Sequence, residues 1–280
     1  MEQYITVKKG RTFLVYDTPG ELGTIIAVHG LTGNHKQFYH YQKAFTGKYR
    51  FISYDVRGRG NSEQTSKDTS IYTHADDLIE LIEELGIKRP ILMGYSMGAY
   101  ISAIVASRLS DVEALILLDG AGEADDMTRQ LVLPSLNRLK KVFPSLQEYV
   151  HEVKGLYTNL RVNWNETIEE IVKYDMKKID SGWRHKSESS FIRQDFETFY
   201  TFKQEETCSK IKATTLLFIA TGKIGDKAPL FQGAGYTKTR ESIQKIETKY
   251  TDVNHYELVF NKQPAIVQQI EEFLVKQGVK

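Results

Sequence analysis

Short runs of apolar and β-branched residues recur along the chain, with longer amphipathic stretches between them. Such runs are typical of strands buried on both faces of a parallel sheet, joined by helical crossovers. We predict inner strands over residues 25–28, 51–54, 91–93, 114–118 and 215–219. The pattern therefore favours an α/β architecture, in which helices flank a mostly parallel sheet.

Three stretches outside these runs have the spacing of amphipathic helices. Residues 35–47 form the first predicted crossover. In the second, the apolar residues of 78–85 share one helical face, and Gly86 ends the helix. The last begins at Pro264, a favoured first helical position, and its apolar stripe consists of Ile266, Ile270, Phe273 and Leu274. Each is predicted to pack on the sheet.

The two ends of the predicted sheet have their own patterns. Residues 3–8 and 11–16 alternate in polarity around Lys9-Gly10, which predicts an antiparallel hairpin leading into the parallel strands. A final strand is predicted at about residues 246–250, before the C-terminal helix.

The recurring apolar runs that predict strands are absent between residues 122 and 212. These residues are here called the cap segment. Its sequence is helical in pattern, as at residues 136–142, 146–153 and 168–174. It divides the chain into a core of residues 1–121 and 213–280 and an inserted helical cap or lid. Most of its aromatic residues are predicted to be core, while an apolar cap would favour a hydrophobic substrate. These aromatics are Phe143, Tyr149, Tyr157, Trp164, Tyr174, Trp183, Phe191, Phe196 and Phe199.

Composition narrows the choice of partner. The chain has 41% hydrophobic and 26% charged residues, and 37 basic against 36 acidic residues give a net charge of +1. This near balance predicts neither nucleic-acid binding nor attraction to an anionic membrane, and leaves a small molecule as the partner. The apolar cap predicts that this substrate carries an apolar group. The single cysteine, Cys208, excludes an internal disulfide. We expect no metal site and no cofactor.

The amino terminus alternates like a strand and lacks the basic start and apolar run of an export signal. No apolar run approaches 18 residues, so membrane insertion is not expected. We predict a cytoplasmic protein, either a monomer or a homodimer.

Gly94-Tyr95-Ser96-Met97-Gly98 is the strongest candidate for chemistry, because a predicted strand precedes it and a small-residue helix follows. A serine on such a sharp turn has an exposed hydroxyl beside a helix amino terminus, where backbone N–H groups favour negative charge. The glycines allow neighbouring backbone to crowd the turn. Ser96 is therefore the predicted nucleophile.

A serine nucleophile needs a base and a carboxylate that orients the base. His255 is the predicted base, because it lies between the last strand and the last helix and so at the carboxyl edge of the sheet. Two acids follow neighbouring strands at that edge. Asp226 is the first choice and Asp119 the alternative.

The oxyanion formed on attack needs preorganised donors, commonly two backbone N–H groups. Met97, directly after the nucleophile, is predicted to supply one, and Leu31 in the glycine-rich loop His29–Asn34 the other. His29 is predicted to be a buried residue that shapes this loop by hydrogen bonds.

Four ordered segments, HGLTGN, DVRGRGNS (Asp55–Ser62), GYSMGA and the late VNHYELV, resemble the landmarks of the α/β-hydrolase superfamily over residues 25–275. The resemblance implies an α/β-hydrolase fold with an eight-stranded, mostly parallel sheet and a cap inserted after the sixth strand. The order serine, acid, histidine is also that of the family. It implies that Asp55–Ser62 is a structural loop, anchored by charge-assisted hydrogen bonds.

The sequence departs from the family pattern at two positions. Asn254 precedes His255 where many relatives have Gly. Asp226 lies four residues after Gly222, where relatives often place the acid after two or three, and this spacing keeps Asp119 open.

These features predict a carboxylesterase that cleaves a small or medium, largely apolar ester through an acyl-enzyme on Ser96. A carbon–carbon bond hydrolase or a lactonase with the same triad is an alternative, because fold alone does not fix the reaction. A ligand-binding protein on a hydrolase shell is an alternative of another class. Dehalogenase and epoxide hydrolase chemistry is disfavoured, because those relatives have Asp where this chain has Ser96.

Overall fold

Residues 1–279, which the computed structural model describes, contain eleven strands and eleven α-helices. The strands are β1 (Glu2–Thr6), β2 (Thr12–Thr18), β3 (Gly20–Val28), β4 (Gly47–Tyr54), β5 (Ile91–Tyr95), β6 (Ala114–Leu118), β7 (Val142–Phe143), β8 (Met176–Ile179), β9 (Gly182–His185), β10 (Thr214–Ala220) and β11 (Ile246–Thr251). The helices are α1 (Tyr39–Phe45), α2 (Ile71–Glu84), α3 (Met97–Arg108), α4 (Asp126–Asn137), α5 (Leu146–Asn159), α6 (Glu166–Tyr174), α7 (Ser189–Glu197), α8 (Gln204–Cys208), α9 (Thr237–Ser242), α10 (His255–Phe260) and α11 (Pro264–Lys276).

Eight of these strands form one sheet in the order β1-β2-β4-β3-β5-β6-β10-β11. The pairs β1–β2 and β2–β4 are antiparallel and the others are parallel. The predicted eight-stranded, mostly parallel sheet flanked by helices is thus confirmed, as is the hairpin at its edge. The inner strands β5 and β6 are fully buried, which is why their residues are uniformly apolar.

The largest difference among the predicted strands is at β3, which begins at Gly20 rather than at residue 25. Residues 20–24 are exposed or half-buried, and the register shifts between Leu22 and Thr24. Such a segment has no continuous apolar run, because only the second half of the strand lies in the core.

The three helices predicted outside the cap segment are present in the structure. The first crossover is a short 3-10 helix, His35–Phe38, followed by α1, and α2 ends before Gly86, whose φ is +62°. In α11 the predicted stripe from Ile266 to Leu274 is buried against the sheet. Apolar burial along one helix face was therefore a sufficient signal.

The cap segment lies between β6 and β10 and contains α4 to α8 together with a small antiparallel sheet, β7-β9-β8. The sequence pattern predicted a helical segment and did not predict these three strands. The three strands have two, four and four residues, too few to establish an alternating pattern. The helix predicted over residues 136–142 was also wrong, because α4 ends at Asn137 and a 3-10 turn follows.

No helix within residues 1–279 combines the length and the apolar character needed to cross a membrane.

Candidate active site

Ser96 occupies the turn between β5 and α3 with φ +54° and ψ −118°, a conformation that L-residues rarely adopt. Close backbone packing holds it there. A Cβ on Gly94 would lie 2.2 Å from the Gly98 carbonyl oxygen, and a Cβ on Gly98 would lie 1.8 Å from the Val28 carbonyl oxygen. Glycine at both positions therefore lets the turn approach its neighbours and present Ser96 at the sheet edge.

His255 is the first residue of α10, and the cap of this helix fixes the backbone from which the imidazole projects. The Asn254 side chain accepts hydrogen bonds from the N–H groups of Tyr256 and Glu257, and Glu257 Oε2 accepts from the Asn254 N–H at 2.9 Å. The imidazole lies against the Tyr95 ring, with centroids 4.7 Å apart. Asn254, the departure from the family pattern, thus forms a capping box that orients His255.

Asp119 is the carboxylate bonded to the histidine. Its Oδ2 lies 2.7 Å from His255 Nδ1. Its Oδ1 accepts from the Tyr236 hydroxyl at 2.9 Å and from the Ala220 N–H at 3.1 Å. Asp119 is fully buried and follows β6 directly, so hydrogen bonds on both oxygens fix its orientation before any ligand binds.

The preference for Asp226 as the partner of His255 was wrong, and the alternative, Asp119, takes that position. Asp226 is exposed, in a tight turn where Ile224 and Lys227 exchange backbone hydrogen bonds of 3.1 and 3.0 Å. This turn folds the loop back on itself beyond the strand end at Ala220. Among the described residues, no hydrogen bond or ion pair involves the Asp226 side chain.

The loop that carries Leu31 is held by side chains around it. The Gly30 carbonyl accepts from His29 Nδ1 at 2.8 Å and from the Gly33 N–H at 3.0 Å. Because N–H and C=O of one peptide point in opposite directions, these bonds turn the Leu31 N–H away from His29. Gln37, which sequence analysis missed, accepts from the Gly30 N–H at 2.8 Å.

His29 has the structural role predicted for it. It is fully buried, its Nδ1 donates to Gly30, and its Nε2 accepts from the Val56 N–H at 3.0 Å. Burial lowers the pKa of His29 to about 4, so the ring is neutral near pH 7.

Met97 begins α3, where the first N–H groups have no partner within the helix. Among the described residues, neither the Met97 amide nor the Leu31 amide donates a hydrogen bond to protein. Both amides therefore remain the predicted oxyanion donors.

Ser96, His255 and Leu31 line one pocket of about 60 Å³. Apart from His255, its sixteen lining residues include no acidic or basic side chain. A larger cleft of about 380 Å³ lies elsewhere, beside Tyr16 and Ile171. The other lining residues of the serine pocket are Gly30, Thr32, Gly33, Gln37, Tyr95, Val132, Ser135, Tyr157, Phe199, Leu230, Phe231, Tyr256 and Phe260.

The loop Asp55–Ser62 anchors its surroundings, as its family resemblance implies. Asp55 accepts from the His35 N–H at 2.8 Å, from the Asn61 N–H at 2.8 Å and from the Tyr174 hydroxyl at 2.6 Å. Burial opposes the charge, but the hydrogen bonds and the neighbouring His35 outweigh it and lower the pKa of Asp55. The loop thereby ties the sheet edge to the cap segment.

Three residues that form hydrogen bonds or ion pairs at or beside the site could not be found from sequence. Tyr236 donates to Asp119 and Gln37 accepts from Gly30, both from segments with no motif, and Asp195 of the cap segment pairs with Arg59. Nothing in the local sequence distinguishes them from ordinary polar residues.

Residues 1–279 contain no group of three or more His, Cys, Asp or Glu side chains that could hold a metal ion.

Comparison with known proteins gives the same architecture. The family described as alpha/beta hydrolase fold matches residues 23–144. The AB hydrolase superfamily protein YisY of Bacillus subtilis is 35% identical over 127 residues, which cover 44% of this chain and 47% of that protein. The 2-(acetamidomethylene)succinate hydrolase of Mesorhizobium japonicum is 23% identical over 186 residues, 66% of each. The chain thus matches about half to two thirds of these relatives' lengths.

Solved structures match over nearly the whole chain. An E-2-(acetamidomethylene)succinate hydrolase superposes with a TM-score of 0.82 at 19% identity, covering 98% of this chain and 99% of that one. A thermophilic esterase from Thermogutta terrifontis gives a TM-score of 0.73 at 19% identity, covering 99% of each. The fold is the α/β-hydrolase fold. Residues 23–144 of the chain are similar in sequence to the alpha/beta hydrolase family as well.

Proposed function

We propose that this chain is a serine hydrolase that cleaves a small, largely apolar carboxylic ester through an acyl-enzyme on Ser96. The observation that carries the proposal is the 2.7 Å hydrogen bond between His255 Nδ1 and Asp119, beside a pocket that His255 shares with Ser96. A buried carboxylate on one ring nitrogen leaves the other nitrogen to act as a base.

In the proposed mechanism, His255 Nε2 takes the Ser96 proton while Oγ attacks the ester carbonyl carbon. The carbonyl π electrons move to oxygen, and the amides of Leu31 and Met97 stabilise this oxyanion. When the tetrahedral intermediate collapses, the C–O bond to the alcohol breaks and His255 gives the alcohol its proton. Water then attacks the acyl-enzyme by the same sequence, releasing the carboxylic acid and restoring Ser96.

Asp119 holds the Nδ1–H tautomer and stabilises the imidazolium that forms in both steps. Tyr236 and the Ala220 amide donate hydrogen bonds to Oδ1 of Asp119. These bonds hold the carboxylate in the orientation that directs Oδ2 towards His255. This arrangement supports Asp119 as the third member of the triad.

The pocket supports a small, uncharged substrate. Its volume of about 60 Å³ corresponds to only a few water molecules, since one water needs about 10–15 Å³ by the same measure. The pocket is lined by apolar and neutral polar groups. A substrate carboxylate buried there would find no cationic partner. We therefore favour short neutral acyl esters over the dicarboxylate that the name of the succinate hydrolases describes.

The second candidate is hydrolysis of another acyl bond by the same residues, as in a lactonase or a carbon–carbon bond hydrolase. The TM-score of 0.82 to a hydrolase whose name does not describe a simple ester favours keeping it. A ligand-binding protein on a hydrolase shell is the candidate of another class, and the bonded His255–Asp119 pair argues against it. A cap function for the cap segment, a cytoplasmic location and a monomer or homodimer remain predictions.

The test is a panel of p-nitrophenyl esters from acetate to octanoate, with a lactone and a vinylogous ketone included, assayed with wild type and Ser96→Ala. We expect acetate and butyrate to be preferred and Ser96→Ala to lose roughly four to six orders of magnitude in kcat. Full activity in Ser96→Ala would overturn the proposal, and a preference for the ketone or lactone would select the second candidate. No turnover of any compound and no fluorophosphonate labelling would favour the binding protein.

A further inference from the structure

Arg59 is the largest fully buried side chain outside the proposed triad, and its guanidinium contacts three separate parts of the molecule. Nε donates to the Leu31 carbonyl at 3.1 Å, and Nη2 lies 3.6 Å from Met97 Sδ. The same Nη2 lies 2.6 Å from Asp195 Oδ2. One cation therefore contacts both residues whose amides are proposed to bind the oxyanion, and also a carboxylate from outside the sheet.

Asp195 belongs to α7, within the cap segment. It is fully buried, and its carboxylate also accepts from Thr69 Oγ1 at 2.5 Å and from His74 Nε2 at 3.0 Å. Burial opposes its ionisation, but the charge of Arg59 and the bonds from His74 and Thr69 hold the pKa of Asp195 well below its ordinary value. Arg59 thus faces a fixed negative charge rather than a neutral acid.

We propose that Arg59 is a positioning residue through which Asp195 of the cap segment sets the geometry of the Leu31 and Met97 amides. The inference rests on the proposed function, since it concerns the oxyanion of that reaction. Holding the Leu31 carbonyl fixes one side of the residue, while the bonds to Gly30 fix the other. Contact with Met97 sets the second amide against the first.

Oxyanion contacts strengthen only as the transition state forms, so a displaced amide lowers kcat and leaves KM nearly unchanged. Removing a whole oxyanion donor costs roughly 10²–10³ in rate, and displacing one should cost less. For Asp195→Asn we expect kcat for the preferred short ester to fall by about 10- to 100-fold.

The matched control is Glu197→Gln on the same helix. Glu197 pairs with Arg129 at 2.7 Å, entirely within the cap segment and away from Leu31 and Met97. The control should keep its kcat. An equal loss in both variants would mean that any lost ion pair on α7 lowers the rate, and would overturn the proposal.

A trifluoromethyl ketone supplies a readout that a purely structural role would not change, because it adds to the serine and carries the oxyanion. Its inhibition constant should weaken in Asp195→Asn by the same factor as kcat, while inhibition by the neutral alcohol product, which carries no oxyanion, is unchanged. Equal weakening of both inhibitors, or of neither, would contradict the inference.

A second variant covers the case in which Asp195→Asn does not fold, since breaking one side of a buried ion pair is strongly destabilising. In Arg59→Met/Asp195→Leu both charges are replaced by apolar groups, so the melting temperature should approach that of wild type. We expect its kcat to stay low. Recovery of kcat together with stability would show that the pair only holds the fold. A wild type that hydrolyses no ester would instead refute the proposed function.

Discussion

The loop after β6 and the loop after β10 leave neighbouring parallel strands at the same edge of the sheet, and each carries an aspartate. Asp119 follows β6 directly, is fully buried and has hydrogen bonds on both oxygens. Asp226 lies beyond β10 in an exposed turn, separated from the strand end at Ala220 by five intervening residues. Only the first loop delivers its carboxylate to His255.

The difference shows how distance from a strand end controls the position of a side chain. Asp119 has φ +46°, and a Cβ on the next residue, Gly120, would lie 2.4 Å from the Ser96 carbonyl oxygen. The chain therefore turns immediately beneath Ser96. The longer loop after β10 instead supplies Leu230 and Phe231 to the pocket and Tyr236 to Asp119.

Exchanging the acids for amides is the strongest test of this comparison. Asp119→Asn should lower kcat by about 10⁴-fold, because an amide cannot hold the productive tautomer of the imidazole. Asp226→Asn, which alters an exposed turn, is the matched control and should keep wild-type kcat. Steady-state kinetics on p-nitrophenyl acetate measures both. The reverse result would restore Asp226 as the acid.

The loop after β10 should control acyl length rather than the chemical step. Leu230→Ala enlarges the pocket and should raise the ratio of kcat/KM for hexanoate over acetate by about tenfold, within the range of one or two methylene groups. Leu156→Ala serves as the control, because Leu156 is an exposed leucine of the cap segment that does not line the pocket. An unchanged ratio in Leu230→Ala would separate this loop from substrate selection.

The loop after β3 gives a third, smaller effect, on stability. The pKa of His29 is lowered to about 4, so the unfolded chain takes up a proton below pH 6.5 that the folded chain does not. The contribution of His29 is complete above pH 6.5 and is lost as the pH falls towards 4, by about 3 kcal/mol for a fully buried group. Urea unfolding at several pH values between 4 and 7 gives the free energy of unfolding as a function of pH. This free energy should change less with pH in His29→Gln than in wild type, and an equal change in both proteins would contradict the expectation.

Sequence reasoning succeeded where burial imposes a repeating pattern or a motif imposes local geometry. The strands around Ile91 and Ala114 are uniformly apolar because both faces are covered, and the position of Ser96 follows from its flanking glycines. The family resemblance added the order of the landmarks. These signals are local in the chain, and the structure has the fold that they predicted.

The remaining features depend on contacts between residues far apart in sequence. Asp119 and His255 are 136 positions apart in the sequence, and so are Arg59 and Asp195. No spacing rule therefore selects either pair. The choice of Asp226 assumed that the loop following the strand would keep this residue at the carboxyl edge of the sheet, close to His255. It failed because a tight turn beyond β10 carries that residue into solvent.

The most direct test of the central claim is the rate at which a fluorophosphonate labels Ser96, located by peptide mass spectrometry in wild type, Asp119→Asn and Asp226→Asn. The reagent reports the nucleophile and its activation without requiring the true substrate. We predict labelling at Ser96, at equal rates in wild type and Asp226→Asn and at a greatly reduced rate in Asp119→Asn. Labelling at another residue, or a reduced rate in Asp226→Asn alone, would contradict it.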